Sequence, residues 1–179
     1  MVARKHADNS RHITAGAFSC HGNPLWVTLF KALGASPTPV NFGELYAALQ
    51  TRIVDGEENP LALIQSAKLY EVQKYVTLSG HIWDGHYIFA NAPRWAALPD
   101  DVRKVIIDAL STAALRERED IKHFNEGAES EMKKAGLVFN TIDTTPFRDT
   151  LRSAGFYNEW KSKFGTQYWS LLEKYVGTL

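Results

Sequence analysis

A handful of side chains in this chain carry atoms suited to binding or catalysis. Asn59 closes the run Val54-Asp-Gly-Glu-Glu-Asn-Pro60. Two uses compete for its amide. The oxygen can cap a helix begun by Pro60, the use that the Asn-Pro pair favours. The NH₂ group can donate to a ligand carboxylate, and one amide can serve both. Glu57-Glu58 is a carboxylate pair, but two acids at a helix start are ordinary partners of its dipole. Phe42 stands before a helix and reads as core, or as a ring facing a ligand. His81 and His86 have metal-binding chemistry, yet their spacing matches no zinc pattern and no Cys pair or Glu-flanked His pair supports them. Cys20-His21 joins a thiol to an imidazole. A nucleophile and its base are neighbours in space rather than in sequence, and they need a third group to orient them. Gly34, Gly43 and Gly56 lie too far apart for a phosphate loop, and no Gly-x-Ser-x-Gly elbow occurs. No catalytic set emerges, so the chain is not read as an enzyme; no metal and no cofactor are assigned.

The elements that must position these groups follow from periodicity. Asn23-Pro24 opens a helix lined by Leu25, Trp26, Leu29, Phe30 and Leu33 and stopped by Gly34. Leu45 and Leu49 give the helix after Phe42 an apolar side. Ile53-Val54 is predicted as a short strand and Asp55-Gly56 as a turn. A helix is expected from Pro60 to about Lys74. Tyr75–Ser79 and Tyr87–Ala90 read as strands, joined through Gly80–His86. Pro93–Ala97 reads as one helical turn. Pro99 then starts the longest helix, which becomes strongly charged with mixed signs from Arg116 to Lys134 and stops at Gly136. Leu137–Ile142 is predicted as a strand, Thr145 to about Gly165 as a helix, and Tyr168–Val176 as a final amphipathic helix. Alternating helices and short strands indicate α/β.

Composition sets the outer bounds. The 179 residues hold 20 basic and 20 acidic side chains, a formal net charge of zero. That balance argues against nucleic acid as a partner. The lone Cys20 has no internal partner for a disulfide. No apolar run is long enough to span a membrane. Residues 1–22 show no clear period and are expected to be irregular. Their polar, basic start is not followed by the apolar stretch of an export signal.

Four runs, Lys31-Ala-Leu-Gly-Ala-Ser-Pro-Thr-Pro39, Phe42-Gly-Glu-Leu-Tyr-Ala-Ala-Leu-Gln-Thr51, Val54-Asp-Gly-Glu-Glu-Asn-Pro60 and Tyr70-Glu-Val-Gln-Lys-Tyr75, resemble the solute-binding proteins of tripartite ATP-independent periplasmic (TRAP) transporters. The likeness runs from about Asn23 to the C-terminus. It divides the chain into a segment 1–22 unlike the family and a solute-binding-protein-like domain over 23–179. The resemblance implies a periplasmic-binding-protein-like lobe: a short sheet with flanking helices, a long lobe-bridging helix, C-terminal helices, and a first lobe largely absent. It also implies a periplasmic receptor for a small organic acid, dicarboxylates among them, that hands its ligand to a TRAP membrane permease. As written, without an export signal, the chain leaves a cytoplasmic location open. Asn59 matches the family's carboxylate-contacting Asn, and Phe42 its pocket aromatic. Trp83 and His81 fall where the family's post-strand segment nears the cleft.

Two departures accompany the match. The family's carboxylate-gripping Arg falls at Ser19, which has no guanidinium fork, and the family's Gln is Glu57. The alternative reading is therefore a truncated α/β module that binds no solute and acts through protein association.

Overall fold

The computed structural model describes residues 2–3, 16–83, 85 and 87–179. They fall into two units, Met1–Ser79 with Met132–Leu179, and Gly80–Glu131.

The first unit is built on a six-stranded sheet. Its strands are β1 (Val2–Ala3), β2 (Ala17–Ser19), β3 (Ser36–Pro37), β4 (Gly56–Glu57), β5 (Tyr75–Leu78) and β6 (Val138–Thr141), in the order β3-β2-β4-β1-β5-β6. β2 runs parallel to β3 and β4, and β5 runs parallel to β6. β1 is antiparallel to both β4 and β5 and joins the two parallel groups. Ala17–Ser19 lies in the segment expected to be irregular, yet it is the strand on which β3 and β4 both pair. Three residues are too few for a period, and pairing on both sides is what orders them.

Its helices are α1 (Pro24–Ala32), α2 (Phe42–Gln50), α3 (Leu61–Ser66), α6 (Thr145–Ser153), α7 (Phe156–Phe164) and α8 (Thr166–Val176), with a 3₁₀ turn at Leu69–Glu71. Asn23 caps α1 as expected, accepting from the N–H of Leu25 at 2.9 Å. Gly34, at φ 86°, ends it. α2 ends differently from the expectation of a strand at Ile53-Val54. Arg52 takes the left-handed conformation, φ 66°. Its N–H and that of Ile53 turn back to the carbonyls of Leu49 and Ala48. The helix end thus consumes the donors that a strand would have used, and the strand forms later, at Gly56-Glu57. The helix expected through Lys74 stops at Ser66, with Lys68 left-handed at φ 54°. The helix expected from Thr145 to Gly165 is two, divided at Gly155, φ 73°.

The core packs α1, α6, α7 and α8 around β2. Phe18 and Phe30 meet at 4.8 Å between ring centroids. Leu29, Leu33, Leu151, Phe156, Trp160 and Trp169 complete the cluster. The Trp160 indole donates to the Thr28 hydroxyl at 2.9 Å, which satisfies its polar edge. Leu45, Leu49, Val54, Ile64, Leu69 and Val76 are also buried.

The second unit holds α4 (Ala92–Ala96) and most of α5 (Asp100–Lys134), a single 35-residue helix. Asp100 and Asp101 stand in its first turn and Lys133 and Lys134 in its last, each suited to the dipole. Tyr87–Ala90 forms no strand and is exposed. A strand needs a neighbour for its backbone groups, and no described segment pairs there. His86 lies outside the described residues.

Candidate functional site: the carboxyl edge of the sheet

Three parallel strands end on one edge of the first unit. β2 ends at Ser19 and leads into α1; β3 ends at Pro37 and leads into α2; β4 ends at Glu57 and leads towards α3. β3 lies on one side of β2 and β4 on the other. The chain leaves β2 towards one side of the sheet and leaves β4 towards the other. In open α/β sheets ligands bind outside the strand ends at the point where the winding direction reverses. Ser19 and Glu57 face each other in register at that point. The nine-residue helices α1 and α2 bring their N-terminal N–H groups to the same edge, which favours an anion.

The side chains on this edge interact closely. Asn59 Nδ2 donates to Glu57 Oε2 at 2.5 Å. The expected helix cap is not its role: the N-cap of α3 is Pro60, and no side chain caps that helix. Pro60 sits one place earlier than expected, so the amide is released from the helix end and turns to the carboxylate. Glu57 is not a helix-dipole partner either. It lies in β4 and is fully buried. Burial pushes its carboxyl up to about 7, opposed by the chain's amino terminus and the Asn59 hydrogen bond and assisted by Glu58. The N–H of Glu58 donates to the carbonyl of Ser19 at 3.3 Å, and its Oε1 accepts from the N–H of His21 at 3.4 Å. Cys20 and Ser19 are buried beside them. Burial first, and Glu58 second, push the Cys20 thiol up to about 11. The Cys20-His21 pair therefore lacks the activated thiolate of a nucleophile.

The structure thus gathers Asn59, Glu57 and Ser19. The adjacency of Ser19 and Glu57 was not readable from spacing, because it depends on strand register between residues 38 positions apart. The Glu that follows Gly56 was the available signal, and the neighbouring Asn-Pro drew it towards a helix start. Phe42 is the first residue of α2, half-exposed, on the helix that leaves β3 at this edge. His81 and Trp83 belong to the other unit. His81 is partly buried, and Trp83 is 86% exposed with its ring lying over Gly85. Two open clefts are lined by other residues. One runs along α5 from Asp108 to Asp120. The other, of about 490 Å³, lies at the opposite edge of the sheet and is lined by Tyr46, Gln50, Glu71, Val72, Gln73 and Lys74.

Residues 16–160 match the model of the bacterial extracellular solute-binding protein family 7. The match begins before Asn23 and takes in β2, so the family likeness reaches into the segment 1–22. The chain is 35% identical over 135 residues to the sialic acid-binding periplasmic protein SiaP of Vibrio cholerae, covering 75% of this chain and 41% of that protein. The fold matches the ectoine-binding protein of the TeaABC TRAP transporter of Halomonas elongata with a TM-score of 0.81 and 28% identity, covering 96% of this chain and 57% of that one. It matches a TRAP periplasmic solute-binding protein of Roseobacter denitrificans with bound β-D-glucuronate equally well, with a TM-score of 0.81 and 26% identity, covering 90% and 54%. The chain spans about half the length of these relatives. A parallel-stranded edge with helix N-termini gathered at its switch point, carried on a sequence that follows the family over 145 residues, places this chain in the bacterial extracellular solute-binding protein family 7.

Proposed function

We propose that this chain supplies one jaw of a solute receptor that binds the carboxylate of a small organic acid and passes it to a TRAP membrane permease. The observation that carries the reading is the carboxyl edge of β2, β3 and β4. There the N-termini of α1 and α2 and the Asn59 amide are grouped, which favours a ligand that is anionic and accepts hydrogen bonds. One Asn59 N–H is engaged by Glu57 and the second remains for a ligand oxygen. Phe42 offers a ring at the start of α2. By the family resemblance, Trp83 and His81 are further proposed ligand contacts. The relatives are solute-binding proteins, named for acids and for ectoine, and this supports a receptor rather than an enzyme.

A thermal-shift and calorimetric screen against C4-dicarboxylates, 2-oxo acids, sugar acids and simple monocarboxylates tests the proposal. Saturable binding is expected, and Asn59→Ala should weaken it roughly ten- to hundredfold, the worth of one charge-assisted hydrogen bond. No stabilisation by any acid overturns it.

A second reading, association with another polypeptide, is favoured by one observation. In the second unit Val102, Leu110, Ile121 and Phe124 are exposed on α5, and their spacing keeps them within one stripe of the helix.

A further inference from the structure

The sheet of the first unit has two edge strands, and they are finished differently. β3 is Ser36–Pro37, two residues of which one is a proline with no N–H to offer. β6 pairs with β5 over four consecutive residues, Val138 to Thr141, without a bulge. Among the described elements, β5 is the one packed along it. Natural sheets blunt an edge with proline, a bulge or a charge, and β6 carries none of these. The run Leu137-Val-Phe-Asn-Thr-Ile142 is uncharged, free of Pro and Gly, and suited to strand pairing.

The register shows which backbone groups face outward. Val138 donates its N–H to the Lys74 carbonyl at 2.9 Å. Along a parallel ladder, a residue that bonds its neighbour is followed by one whose N–H and C=O point the other way. Val138 and Asn140 therefore serve β5, and Phe139 and Thr141 present their backbone groups to the open side. Neither has a backbone partner there among the described residues. Val138 and Thr141 are exposed, and Phe139 and Asn140 are half-buried. The charges beside the strand have opposite sign at its two ends. The Lys133 ammonium stands 5.3 Å from the Phe139 ring centroid. Asp143 lies two places beyond Thr141 and accepts from the Thr145 N–H at 2.9 Å. That bond holds its carboxyl below the usual carboxylate range, so it is ionised.

We propose that the β6 edge pairs with the β6 edge of a second copy, antiparallel about a two-fold axis, with Phe139 of each chain opposite Thr141 of the other. The arrangement is self-complementary, as a two-fold contact must be. Phe139 and Thr141 exchange N–H···O=C bonds in both directions across the axis. Antiparallel pairing also brings Lys133 of each copy towards Asp143 of the other, and this complementarity selects a second copy as the occupant. The strand is four residues long, far less than a lasting interface needs, so the contact is transient. It is separate from the apolar stripe on α5.

The test is disulfide trapping in a chain carrying Ile121→Lys and Phe124→Lys, so that α5 does not bring copies together. In the proposed register Asn140 faces Asn140 at a closely spaced, non-hydrogen-bonded position, within reach of a disulfide once both are Cys. Thr141→Cys is the comparison, because its opposite residue is Phe139 and two such thiols are offset. Cys20 is buried and stays in place. Under mild oxidation Asn140→Cys should form covalent dimer at least about tenfold faster than Thr141→Cys, because pairing sets its thiols at an effective concentration above that of free collision. Thr141→Pro removes an outward N–H that β5 does not use, and adding it should abolish the trapping. In the same chain without added Cys, the Phe139 and Thr141 amide resonances should shift on dilution from near-millimolar to micromolar concentration. That measurement leaves β6 unaltered, so a misfolded Cys or Pro variant does not remove the test. Equal trapping of Asn140→Cys and Thr141→Cys, trapping that survives Thr141→Pro, or amide shifts independent of concentration overturns the proposal.

Discussion

At Glu57 a single carboxyl group links stability to pH. Its folded-state value, about 7, lies above the 4.5 of the free group. Between those values the folded chain holds more protons than the unfolded chain, so stability is greatest below about 4.5 and falls as pH rises through 7. The separation corresponds to roughly 3 kcal/mol. Denaturant unfolding at pH 5 and pH 8 should show the wild type losing stability over that interval, with Glu57→Gln losing much less; equal loss in both would assign the effect to another group. Cys20 gives a second test at this scale. Its thiol is buried and raised to about 11, so the thiolate fraction at pH 8 is on the order of one in a thousand. Iodoacetamide should leave it unmodified in the native chain and alkylate it rapidly in denaturant. Neither property was legible in the residues. A Glu at a predicted helix start and a Cys in a predicted irregular segment look exposed, and it is strand pairing that buries both.

At the scale of elements, helix starts and stops were legible where one residue type has one physical use. Asn23-Pro24 is both cap and first turn, and Gly34 and Gly136 are left-handed stops. Asn23→Ala should cost about 1 kcal/mol in chemical denaturation, the worth of the cap bond to Leu25. An unchanged midpoint would show that α1 is held by packing alone. Phe30, 1% exposed with its ring tilted against Phe18, belongs to that packing, and Phe30→Ala should cost about 3–5 kcal/mol. The ends that were misplaced have a common cause. Arg52 and Lys68 take φ values that neither residue type signals. Tertiary packing holds them there, so the stops at Thr51 and Ala67 have no sequence mark. The Asn59-Pro60 pair carried the correct signal with an offset of one residue. That offset moved Asn59 from a capping role to a contact with Glu57.

At the scale of the whole molecule, the exposed side chains of α5 invite partners. A helix of mixed charge was expected to be solvated, and from Arg116 onward the charged positions other than the half-buried Glu129 are exposed. The same helix also exposes Val102, Leu110, Ile121 and Phe124 along one stripe. Apolar groups grouped on a surface promote association, and a net charge of zero provides little repulsion between copies. Light scattering after size exclusion should show mass rising with protein concentration, and Ile121→Lys with Phe124→Lys should return the chain to monomer. A monomer at all concentrations for the wild type would count against association through this face.

The residues by themselves determined the α/β class, the family likeness, most helix starts and the candidate role of Asn59. Each of these depends on local periodicity, on a cap, or on runs of contiguous sequence. Only the tertiary structure decided that Ala17–Ser19 is a strand between two others, that Glu57 is buried beside Ser19, and that the Asn59 amide is held by Glu57 rather than by a helix end. Those facts depend on register between segments distant along the chain. Register is set by the packing of α1 and its neighbours around β2, which no window of sequence contains.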